Sequence, residues 1–366
     1  MRFSASIIGA GTAGLISARE LAKRGIDAEV YDQKAVPGLP VRASGIVSFS
    51  GIDSLGIEYS SCMTNRLYGA TIHAGGRSLR IRSRNPVAAV LDRHKLNEKC
   101  IDDAQAAGAK VNLGRRVVGA DLDRMANGGV VIGADGALSA TARHFGLGEI
   151  GKITLTYKAV FNVDVQDPGM VDLFFDRKEY PGLFAWLCPN DKDLLEVGVG
   201  ITSKNTNAKA AYRKLLRDKR VGEILGNAKA IDENASIIPM RLRGRIVDAK
   251  RKVLLVGDAA GQVKAATGGG IVYGGNAALI AADTIAKYYE TGYGLREYEA
   301  RYRKAYGFDM LLHSAINRLY SAVGTYPMGT ALMMMERLGI GGFLSEYGDM
   351  DSPSLILRRF FLRKFA

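Results

Sequence analysis

Three glycines and one acidic residue near the start of the chain have the spacing of a site that binds a dinucleotide. Gly9, Gly11 and Gly14 follow a short apolar run in SASIIGAGTAGLISARELAKRG, and Asp32 ends a second apolar run in DAEVYDQK. The first glycine permits a tight turn, the second lets the backbone approach a pyrophosphate, and the third lets a helix pack on the strand. The pyrophosphate then lies at the helix N-terminus, and the acid accepts hydrogen bonds from ribose hydroxyls. An acid at this position also indicates a ribose without a 2′-phosphate.

A second glycine-rich stretch, GDAAGQVKAATGGGIVYGG, occupies residues 257–275. Its single acid, Asp258, ends a run of valines and leucines that predicts a buried strand. The triple glycine Gly268–Gly270 directly precedes a helical pattern that begins at Ile271. Because glycine has no Cβ, such a run lets the backbone come close to a ligand or to another segment.

Strands and helices alternate around these residues, which is typical of an α/β fold with a doubly wound sheet. A helix followed by a strand is predicted from VLDRHKLNEKCIDDAQAAGAKVNL, with Arg93 at the start of the helix, where the helix dipole opposes its charge. An exposed arginine and an arginine that reaches a ligand both explain this placement. A later strand runs into Asp135-Gly136, which is either a plain turn or a second backbone segment beside the dinucleotide.

The middle of the chain has a different pattern, in which short strands are separated by turn residues, as in an antiparallel sheet. Within it, NAKAAYRKLLRDKRVGEIL predicts one surface helix, and KVLLVGDAAG then returns to a buried strand. We therefore predict a Rossmann-like dinucleotide domain interrupted by an antiparallel-sheet substrate domain and followed by a helical region. The predicted boundaries are residues 1–60, 86–150 and 246–295 for the first domain, 61–85 and 151–245 for the second, and 296–366 for the C-terminal helical region.

Composition narrows the chemistry that a chain of 366 residues can perform. The 50 basic residues exceed the 37 acidic ones by 13, which indicates anionic partners such as a membrane surface, phosphorylated small molecules or nucleic acid. The three cysteines and four histidines lack the spacing of a disulfide framework or a metal site, so redox chemistry would need an organic cofactor. No nucleic-acid module and no membrane-spanning apolar run is recognisable. We therefore expect a cytoplasmic protein with no metal and no nucleic-acid partner.

Four sequence elements resemble, in their order, those of the p-hydroxybenzoate hydroxylase-like flavoproteins, which bind FAD in a doubly wound domain. The elements are GAGTAG with Asp32, Arg93 in LDRHKL, GADGALS and GDAAG, and the resemblance covers roughly residues 1–290. After GDAAG the chain continues with TGGGIVYGGNAAL, which is similar to the geranylgeranyl reductase branch, including the archaeal digeranylgeranylglycerophospholipid reductases. The segments GLPVRASGIVS and LFAWLCP fall where that branch has its flavin-side loop and an aromatic pocket motif.

By this resemblance the cofactor is FAD, and the three glycines of the first turn belong to a larger set of contacts along the chain. The predicted contacts are Gly9, Gly11, Ala13, Gly14, Asp32, Ala43, Ser44, Ile46, Arg93, Val117, Asp258, Gly269, Gly270 and Ile271. The resemblance places Ala43, Ser44 and Ile46 in the flavin-side loop, Val117 near the adenine, and Asp258 near the ribityl chain and pyrophosphate. It also implies that the triple glycine brings backbone against the isoalloxazine ring.

The resemblance further implies that Phe184, Trp186 and Cys188 of LFAWLCP form a wall of the substrate pocket, although their alternation alone favours ordinary core packing. The chain departs from the family in the flavin-side loop and in the aromatic motif, where Phe184 stands at a tyrosine position while Trp186 and Pro189 match. Ala43 stands where the family usually has a cysteine, and Cys188 stands at a phenylalanine position of the aromatic motif. We therefore consider Cys188 as a candidate catalytic thiol that delivers a proton, with a small buried core residue as the alternative.

The resemblance implies an FAD-dependent reductase that saturates C=C bonds of geranylgeranyl chains in archaeal-type membrane lipid biosynthesis. The substrate would be an isoprenoid lipid or geranylgeranyl diphosphate, and the electron donor would be ferredoxin, NADPH or a reduced deazaflavin. Two alternatives stay open: a flavin monooxygenase or halogenase of the same fold, and a non-catalytic flavoprotein electron carrier. The basic C-terminal stretch SLILRRFFLRKFA either lies on the inner face of the cell membrane, as in a peripheral protein, or packs on its own chain.

Overall fold

A computed structural model describes residues 3–41, 43–203 and 206–364. Its strands are β1 (Ser4–Ile8), β2 (Asp27–Tyr31), β3 (Ile46–Ser48), β4 (Met63–Leu67), β5 (Gly69–Ala74), β6 (Arg77–Arg82), β7 (Ala88–Leu91), β8 (Lys110–Asn112), β9 (Val130–Gly133), β10 (Ile153–Asn162), β11 (Met170–Phe174), β12 (Ala185–Asp191), β13 (Leu194–Ile201), β14 (Ala230–Pro239), β15 (Val247–Asp248) and β16 (Val253–Leu255). Its helices are α1 (Thr12–Ala22), α2 (Phe49–Asp53), α3 (Arg93–Ala106), α4 (Gly119–Gly128), α5 (Ala140–His144), α6 (Ala208–Leu215), α7 (Lys219–Leu225), α8 (Ile271–Thr291), α9 (Glu297–Ala322), α10 (Thr325–Arg337), α11 (Ile340–Tyr347) and α12 (Pro353–Lys364). Short 3₁₀ turns cover Ser60–Cys62 and Gly257–Ala259.

Within the described part of the chain, six strands form a sheet in the order β15-β16-β9-β1-β2-β8. Its neighbouring strands are parallel except for β15 and β16. The central strands β9 and β16 are buried along their whole length, as expected for a sheet covered on both faces, and Ile7, Val30 and Ile132 are fully buried. Strand β1 lies between β2 and β9, so the strand order reverses at its carboxyl end, where ligands bind in open α/β sheets. This arrangement confirms the predicted doubly wound α/β fold.

Helix α1 packs beside α8 and fixes the residues that follow β1. Its apolar face, formed by Leu15, Ala18 and Leu21, is fully buried in the main core. Arg19 of the same helix is also buried, and its guanidinium donates to the carbonyl oxygens of Leu55 and Gly56 at 2.7 and 2.9 Å. The helix is thereby held to the chain segment that follows α2 as well as to the sheet.

Among the described residues, a second sheet has seven strands in the order β14-β10-β13-β12-β11-β5-β6. It is antiparallel as predicted, apart from the parallel pair of β5 and β11. One face is covered by α6 and α7, and the other packs against a small sheet of β3, β7 and β4. The segment predicted as one surface helix is instead two helices, because Asp218 caps α7 by accepting a hydrogen bond from the Arg220 backbone N–H at 3.0 Å.

The chain ends in the predicted helical region, helices α9–α12, which packs on α8 and on the hairpin of β5 and β6. Leu332 of α10 is buried against Ala74 and Leu79 of that hairpin. No helix in the described ranges has both the length and the apolar character needed to cross a membrane. Phe365 and Ala366, the last residues of the predicted basic stretch, lie outside the described residues. The domain boundaries given above stay predictions.

Candidate flavin-binding site

The turn between β1 and α1 uses its three glycines in two different ways. Gly9 has a φ of +112°, and a Cβ on it would lie 2.3 Å from the carbonyl oxygen of Ala134. A Cβ on Gly14 would lie 2.1 Å from the carbonyl oxygen of Gly9. A Cβ on Gly11, in contrast, would meet no heavy atom of the described residues within 4 Å. Gly9 and Gly14 therefore allow protein segments to pack together, whereas Gly11 borders open space at the N-terminus of α1.

A cleft of about 180 Å³ lies beside this turn. Its lining comprises Ala10, Gly11, Asp32, Lys34, Pro37, Gly38, Pro40, Ala43, Arg93, Asn97 and Leu113. Asp32 is oriented there by two backbone donors, because Oδ2 accepts from Ala10 N–H at 2.7 Å and Oδ1 from Lys34 N–H at 2.8 Å. Each carboxylate oxygen keeps a further lone pair for a ligand hydroxyl. The fold thus gathers Gly11, Asp32, Ala43 and Arg93 around one cleft.

Arg93 begins α3 and turns its guanidinium towards α1. Its Nη2 donates to Thr12 Oγ1 at 3.1 Å and to Asn97 Oδ1 at 3.4 Å. Its Nη1 is buried and finds no hydrogen-bond acceptor among the described residues. A buried guanidinium N–H is costly to leave unpaired, so this atom marks the place of a missing acceptor. Burial also lowers the pKa of Arg93, although the charge of Asp258 opposes that shift.

Asp258 lies in the 3₁₀ turn after β16 and interacts electrostatically with this guanidinium. Burial raises its pKa to about 6, and the positive charge of Arg93 limits the rise. Ala13 of α1 packs against the same turn, since a Cβ on Gly257 would lie 3.1 Å from the Ala13 Cβ. The structure therefore brings Arg93, Asp258 and the start of α1 together from three distant parts of the chain.

The triple glycine packs against protein atoms at every position. A Cβ on Gly268, whose φ is +80°, would lie 2.9 Å from Ile238 Cδ1. A Cβ on Gly269 would lie 2.8 Å from Lys264 Cε, and one on Gly270 would lie 2.9 Å from Asp258 Oδ1. Gly270 caps the N-terminus of α8 without a side-chain hydrogen bond, so this end of the helix, close to Asp258, has backbone N–H groups that no capping side chain satisfies.

The remaining predicted cofactor contacts lie outside the lining of the cleft. Val117 and Ile271 are partly buried against the main core. Ile46 belongs to the apolar cluster between the seven-stranded sheet and the small sheet. Ser44 is turned towards the seven-stranded sheet, where its hydroxyl donates to Glu196 Oε1. Their contacts with FAD stay predictions.

Two buried charges beside the flavin-side loop were not identified from the sequence. Lys158 Nζ lies 2.6 Å from Glu196 Oε2 and donates to the carbonyl oxygen of Ala43 at 3.1 Å. Glu196 Oε1 accepts from Trp186 Nε1 at 2.8 Å as well as from Ser44. The available signal was a single charged residue inside each of two apolar strands, TYKAVF and LLEVGVGI.

The predicted pocket residues Phe184, Trp186 and Cys188 are buried in one apolar cluster with Ile46. The rings of Phe184 and Trp186 meet edge to face, with centroids 6.3 Å apart. The Cys188 thiol is fully buried, and its Sγ lies 3.8 Å from the carbonyl oxygen of Pro189. Burial raises the pKa of this thiol well above its usual value, so Cys188 is a neutral thiol.

A second buried ion pair, Lys264 with Asp351, connects the triple-glycine loop with the C-terminal region. Asp351 also accepts a hydrogen bond from the hydroxyl of Ser48 at the end of β3. Its backbone carbonyl oxygen accepts from Tyr273 Oη at 2.6 Å and lies 3.2 Å from His313 Nε2. The pair spans 87 positions of sequence, and no local pattern indicated it.

A wider, open cleft of about 490 Å³ is lined by Met63, Thr64, Asn65, Arg66, Tyr68, Arg82, Asp167, Pro168 and Gly169. None of these is a predicted site residue. Its polar groups are largely paired with each other, since Asp167 accepts from Arg82 at 2.9 Å and from Arg80 at 2.6 Å. These pairs are surface ion pairs, which contribute little and leave no buried donor for a ligand among the described lining residues. The cleft at Asp32 and Arg93 has such a donor, Arg93 Nη1, and therefore fits the cofactor better.

Comparison with known proteins shows that the chain is similar to FAD-binding proteins. The model of the FAD binding domain family matches residues 2–305. Digeranylgeranylglycerophospholipid reductase 1 of Methanosphaera stadtmanae is 30% identical over 305 residues, covering 77% of this chain and 74% of the relative. Digeranylgeranylglycerophospholipid reductase 2 of Methanothermobacter thermautotrophicus is 28% identical and covers 92% of both chains.

Solved structures of similar fold include two different chemistries. A geranylgeranyl bacteriochlorophyll reductase-like protein from Thermoplasma acidophilum has a TM-score of 0.81 and 20% identity, covering 98% of this chain and 96% of its own. A flavin-dependent brominase has a TM-score of 0.72 and 14% identity, covering 100% of this chain and 99% of its own. At these identities both likenesses show the fold alone.

The residues around the cleft fit FAD. Gly11 leaves room beside the helix N-terminus for a pyrophosphate, Asp32 can accept from a ribose, and Arg93 holds a buried donor without an acceptor. The family match confirms FAD as the cofactor, and the named relatives confirm the prediction of an FAD-dependent oxidoreductase. The chain therefore belongs to the FAD binding domain family and, within it, to the family of the digeranylgeranylglycerophospholipid reductases.

Proposed function

We propose that this protein reduces isolated C=C bonds in the geranylgeranyl chains of an archaeal-type membrane phospholipid. The observation that carries the proposal is the packing of an apolar wall against the flavin-side loop, since Trp186 and Cys188 share one cluster with Ile46. An isolated alkene has no polar group to recognise, so apolar surfaces must orient it beside the flavin. The names of the Methanosphaera and Methanothermobacter relatives support this substrate class.

The chemistry that FAD would supply at this site, when bound and reduced, is hydride transfer to one alkene carbon, and a proton would have to reach the other carbon. Cys188 is our candidate for that proton, because its protonated thiol lies in the apolar wall that packs against the flavin-side loop. Cys188→Ser is expected to slow turnover while FAD stays bound. Cys62→Ser, at another buried free cysteine, is the matched control and should turn over normally. Unchanged turnover of Cys188→Ser would remove this residue from the mechanism.

The proposed reaction is tested by anaerobic incubation of the dithionite-reduced protein with a digeranylgeranyl glycerophospholipid and, separately, with geranylgeranyl diphosphate. We expect the lipid to gain the mass of two hydrogens for each double bond that is reduced. Turnover of geranylgeranyl diphosphate alone would move the reaction to an earlier precursor of the lipid. If fully reduced holoenzyme leaves both compounds unchanged, the proposed function is wrong.

We further propose that the protein acts in the cytoplasm, at the inner face of the cell membrane, through its C-terminal region. Helices α9–α12 carry a large set of exposed apolar side chains, and surfaces of this kind usually bind a partner. The set includes Phe308, Leu311, Ile316, Leu319, Tyr326, Met334, Leu355, Leu357, Phe360, Phe361 and Leu362. The net charge of +13 complements an anionic leaflet, which holds the lipid substrate.

Membrane binding is tested by co-sedimentation with vesicles of phosphatidylglycerol and of phosphatidylcholine. Binding should favour the anionic vesicles and weaken in Leu362→Ser. Ile231→Ser is the matched control, because both side chains are 62% exposed and Ile231 lies on β14. Equal binding of both variants to the anionic vesicles would contradict a docking role for α12.

Ferredoxin, NADPH and a reduced deazaflavin are the proposed electron donors. The basic charge of the protein favours an acidic carrier protein, whose docking would weaken steeply with added salt. Anaerobic mixing with each donor, followed by the loss of flavin absorbance, identifies the one that reacts. A rate that does not change with ionic strength would argue against a carrier protein.

A further inference from the structure

The seven-stranded sheet contains an ion pair for which the proposed reaction has no use. Lys158 of β10 and Glu196 of β13 are 4% and 1% exposed. Moving two charges out of water costs more than their attraction provides, unless further hydrogen bonds satisfy the remaining atoms. The role of the ion pair is therefore indicated by the residues to which these further hydrogen bonds are made.

The hydrogen bonds of this pair reach two different parts of the site. On the pocket side, Glu196 Oε1 accepts from the indole Nε1 of Trp186 at 2.8 Å. On the flavin side, the same oxygen accepts from Ser44, and Lys158 Nζ donates to the carbonyl oxygen of Ala43 at 3.1 Å. One buried carboxylate thus connects the pocket wall with the flavin-side loop, across 152 positions of sequence from Ser44.

The hydrogen-bond partners of this ion pair suit it to hold a position. Its two side chains contact the flavin-side loop at Ala43 and Ser44 and the pocket wall at Trp186. Hydrogen bonds to a charged group are stronger and shorter than neutral ones, so the pair is able to fix both segments.

We propose that Glu196 is a positioning residue that holds the flavin-side loop, through Ser44, against the pocket wall at Trp186. Lys158 is its counter-charge and ties the same loop through Ala43. The inference rests on the proposed function, because loop and wall matter together only where substrate and flavin meet. Its consequence is that a change at Glu196 alters FAD binding and the surroundings of Trp186 together.

Two charge-free double variants of the holoenzyme test this role. Lys158→Met with Glu196→Gln removes both charges but keeps a carbonyl oxygen that can accept from Ser44 and Trp186. Lys158→Met with Glu196→Leu removes both charges and the acceptor as well. Replacing a buried ion pair by uncharged residues is often neutral for stability, so both variants are expected to fold.

The readouts are the dissociation constant of FAD and the fluorescence of Trp186, which is the single tryptophan of the chain. The Gln variant should keep the wild-type emission maximum and bind FAD more tightly than the Leu variant, with only the loss that follows from the missing Lys158–Ala43 hydrogen bond. The Leu variant should shift the emission and bind FAD about tenfold more weakly, because Ser44 and Trp186 lose their acceptor. Glu223→Gln, in an exposed pair with Lys219, is the control and should change neither readout.

Equal FAD affinity and equal emission in the two double variants would overturn the inference, since the pair would then contribute only to stability. If the Leu variant does not fold, Ser44→Ala tests the loop side alone. That variant should weaken FAD binding and leave the emission of Trp186 unchanged, and wild-type affinity would again overturn the inference. Neither readout needs a substrate, so a failed lipid assay together with these shifts would refute the proposed function and leave the positioning role standing.

Discussion

The same substitution at two glycines three positions apart should have opposite consequences. In Gly14→Ala the new methyl group would lie 2.1 Å from the carbonyl oxygen of Gly9 and 3.1 Å from the Cβ of Ala134. In Gly11→Ala it would meet no heavy atom of the described residues within 4 Å. The first change therefore strains the fold of the turn, and the second enters only the space proposed for the pyrophosphate of FAD.

The expected magnitudes follow from these contacts. A methyl group forced against backbone costs about 1–3 kcal/mol, and Gly14→Ala should lie at the upper end because a carbonyl oxygen cannot rotate away. Gly11 caps α1 without a side-chain hydrogen bond and has a φ of −79°, which alanine also adopts. Alanine is a poorer N-cap than glycine, which lowers the free energy of unfolding by up to about 1 kcal/mol. Alanine also reduces the conformational entropy of the unfolded chain, which raises the free energy of unfolding by about 0.4–1 kcal/mol. The stability of the apo protein should therefore change little.

Gly11→Ala should bind FAD about 10- to 100-fold more weakly, because the pyrophosphate would lose hydrogen bonds at the N-terminus of α1. Hydrogen bonds to charged groups are worth about 1.5–3 kcal/mol, which corresponds to this range. Urea unfolding of the FAD-free proteins measures the first effect, and titration with FAD followed by flavin fluorescence measures the second. Wild-type FAD affinity in Gly11→Ala would refute the placement of the pyrophosphate. A loss of stability equal to that of Gly14→Ala would refute the open space at this position.

Three further outcomes are expected. The pKa of Asp258 is about 6 in the folded protein and 3.8 in the unfolded chain. The free energy of unfolding of the apo protein should therefore fall by up to about 3 kcal/mol as the pH rises from about 4 to above 6. Asp258→Asn should remove this pH dependence, which urea unfolding at a series of pH values measures. Arg93→Met should weaken FAD binding about tenfold in calorimetric titration, because Nη1 has no acceptor among the described residues and is free to donate to FAD. Apo stability should fall by about 1 kcal/mol, because Nη2 loses its hydrogen bonds to Thr12 and Asn97. Asp351→Ala should cost about 3–5 kcal/mol by leaving Lys264 buried and unpaired, and hydrogen exchange in α12 should rise; unchanged exchange would show that this pair does not hold the C-terminal region.

Local patterns in the sequence were sufficient for the first turn and for the order of the main elements. The first turn could be predicted from 24 residues, which contain Gly9, Gly11, Gly14 and Asp32. A strand, a tight turn and a helix are all determined by residues close in sequence. The parallel pairing of β5 with β11 was not predicted, because pairing between distant strands leaves no local pattern.

The buried ion pairs were beyond local prediction. Alternation along β10 places Tyr157 and Ala159 on the helix-covered face and Lys158 on the opposite one, which could be read from the sequence. The sequence does not show that the opposite face is buried or that Glu196 lies on it. Both depend on how β13 and the flavin-side loop pack across the sheet. Lys264 and Asp351 likewise meet only because the C-terminal region docks on the loop before α8.

The triple glycine shows why a glycine run by itself cannot locate a ligand. The sequence suggested that Gly268–Gly270 make room for the flavin ring, yet Ile238, Lys264 and Asp258 already account for the missing side chains. A substitution in this run would disturb both the protein packing and any ligand beside it, so its effect on FAD binding would have two explanations. Gly11 has no protein neighbour of this kind among the described residues. A loss of FAD binding on substitution of Gly11 would therefore have a single explanation. The position that best reports on the cofactor is therefore the glycine whose space the protein leaves open.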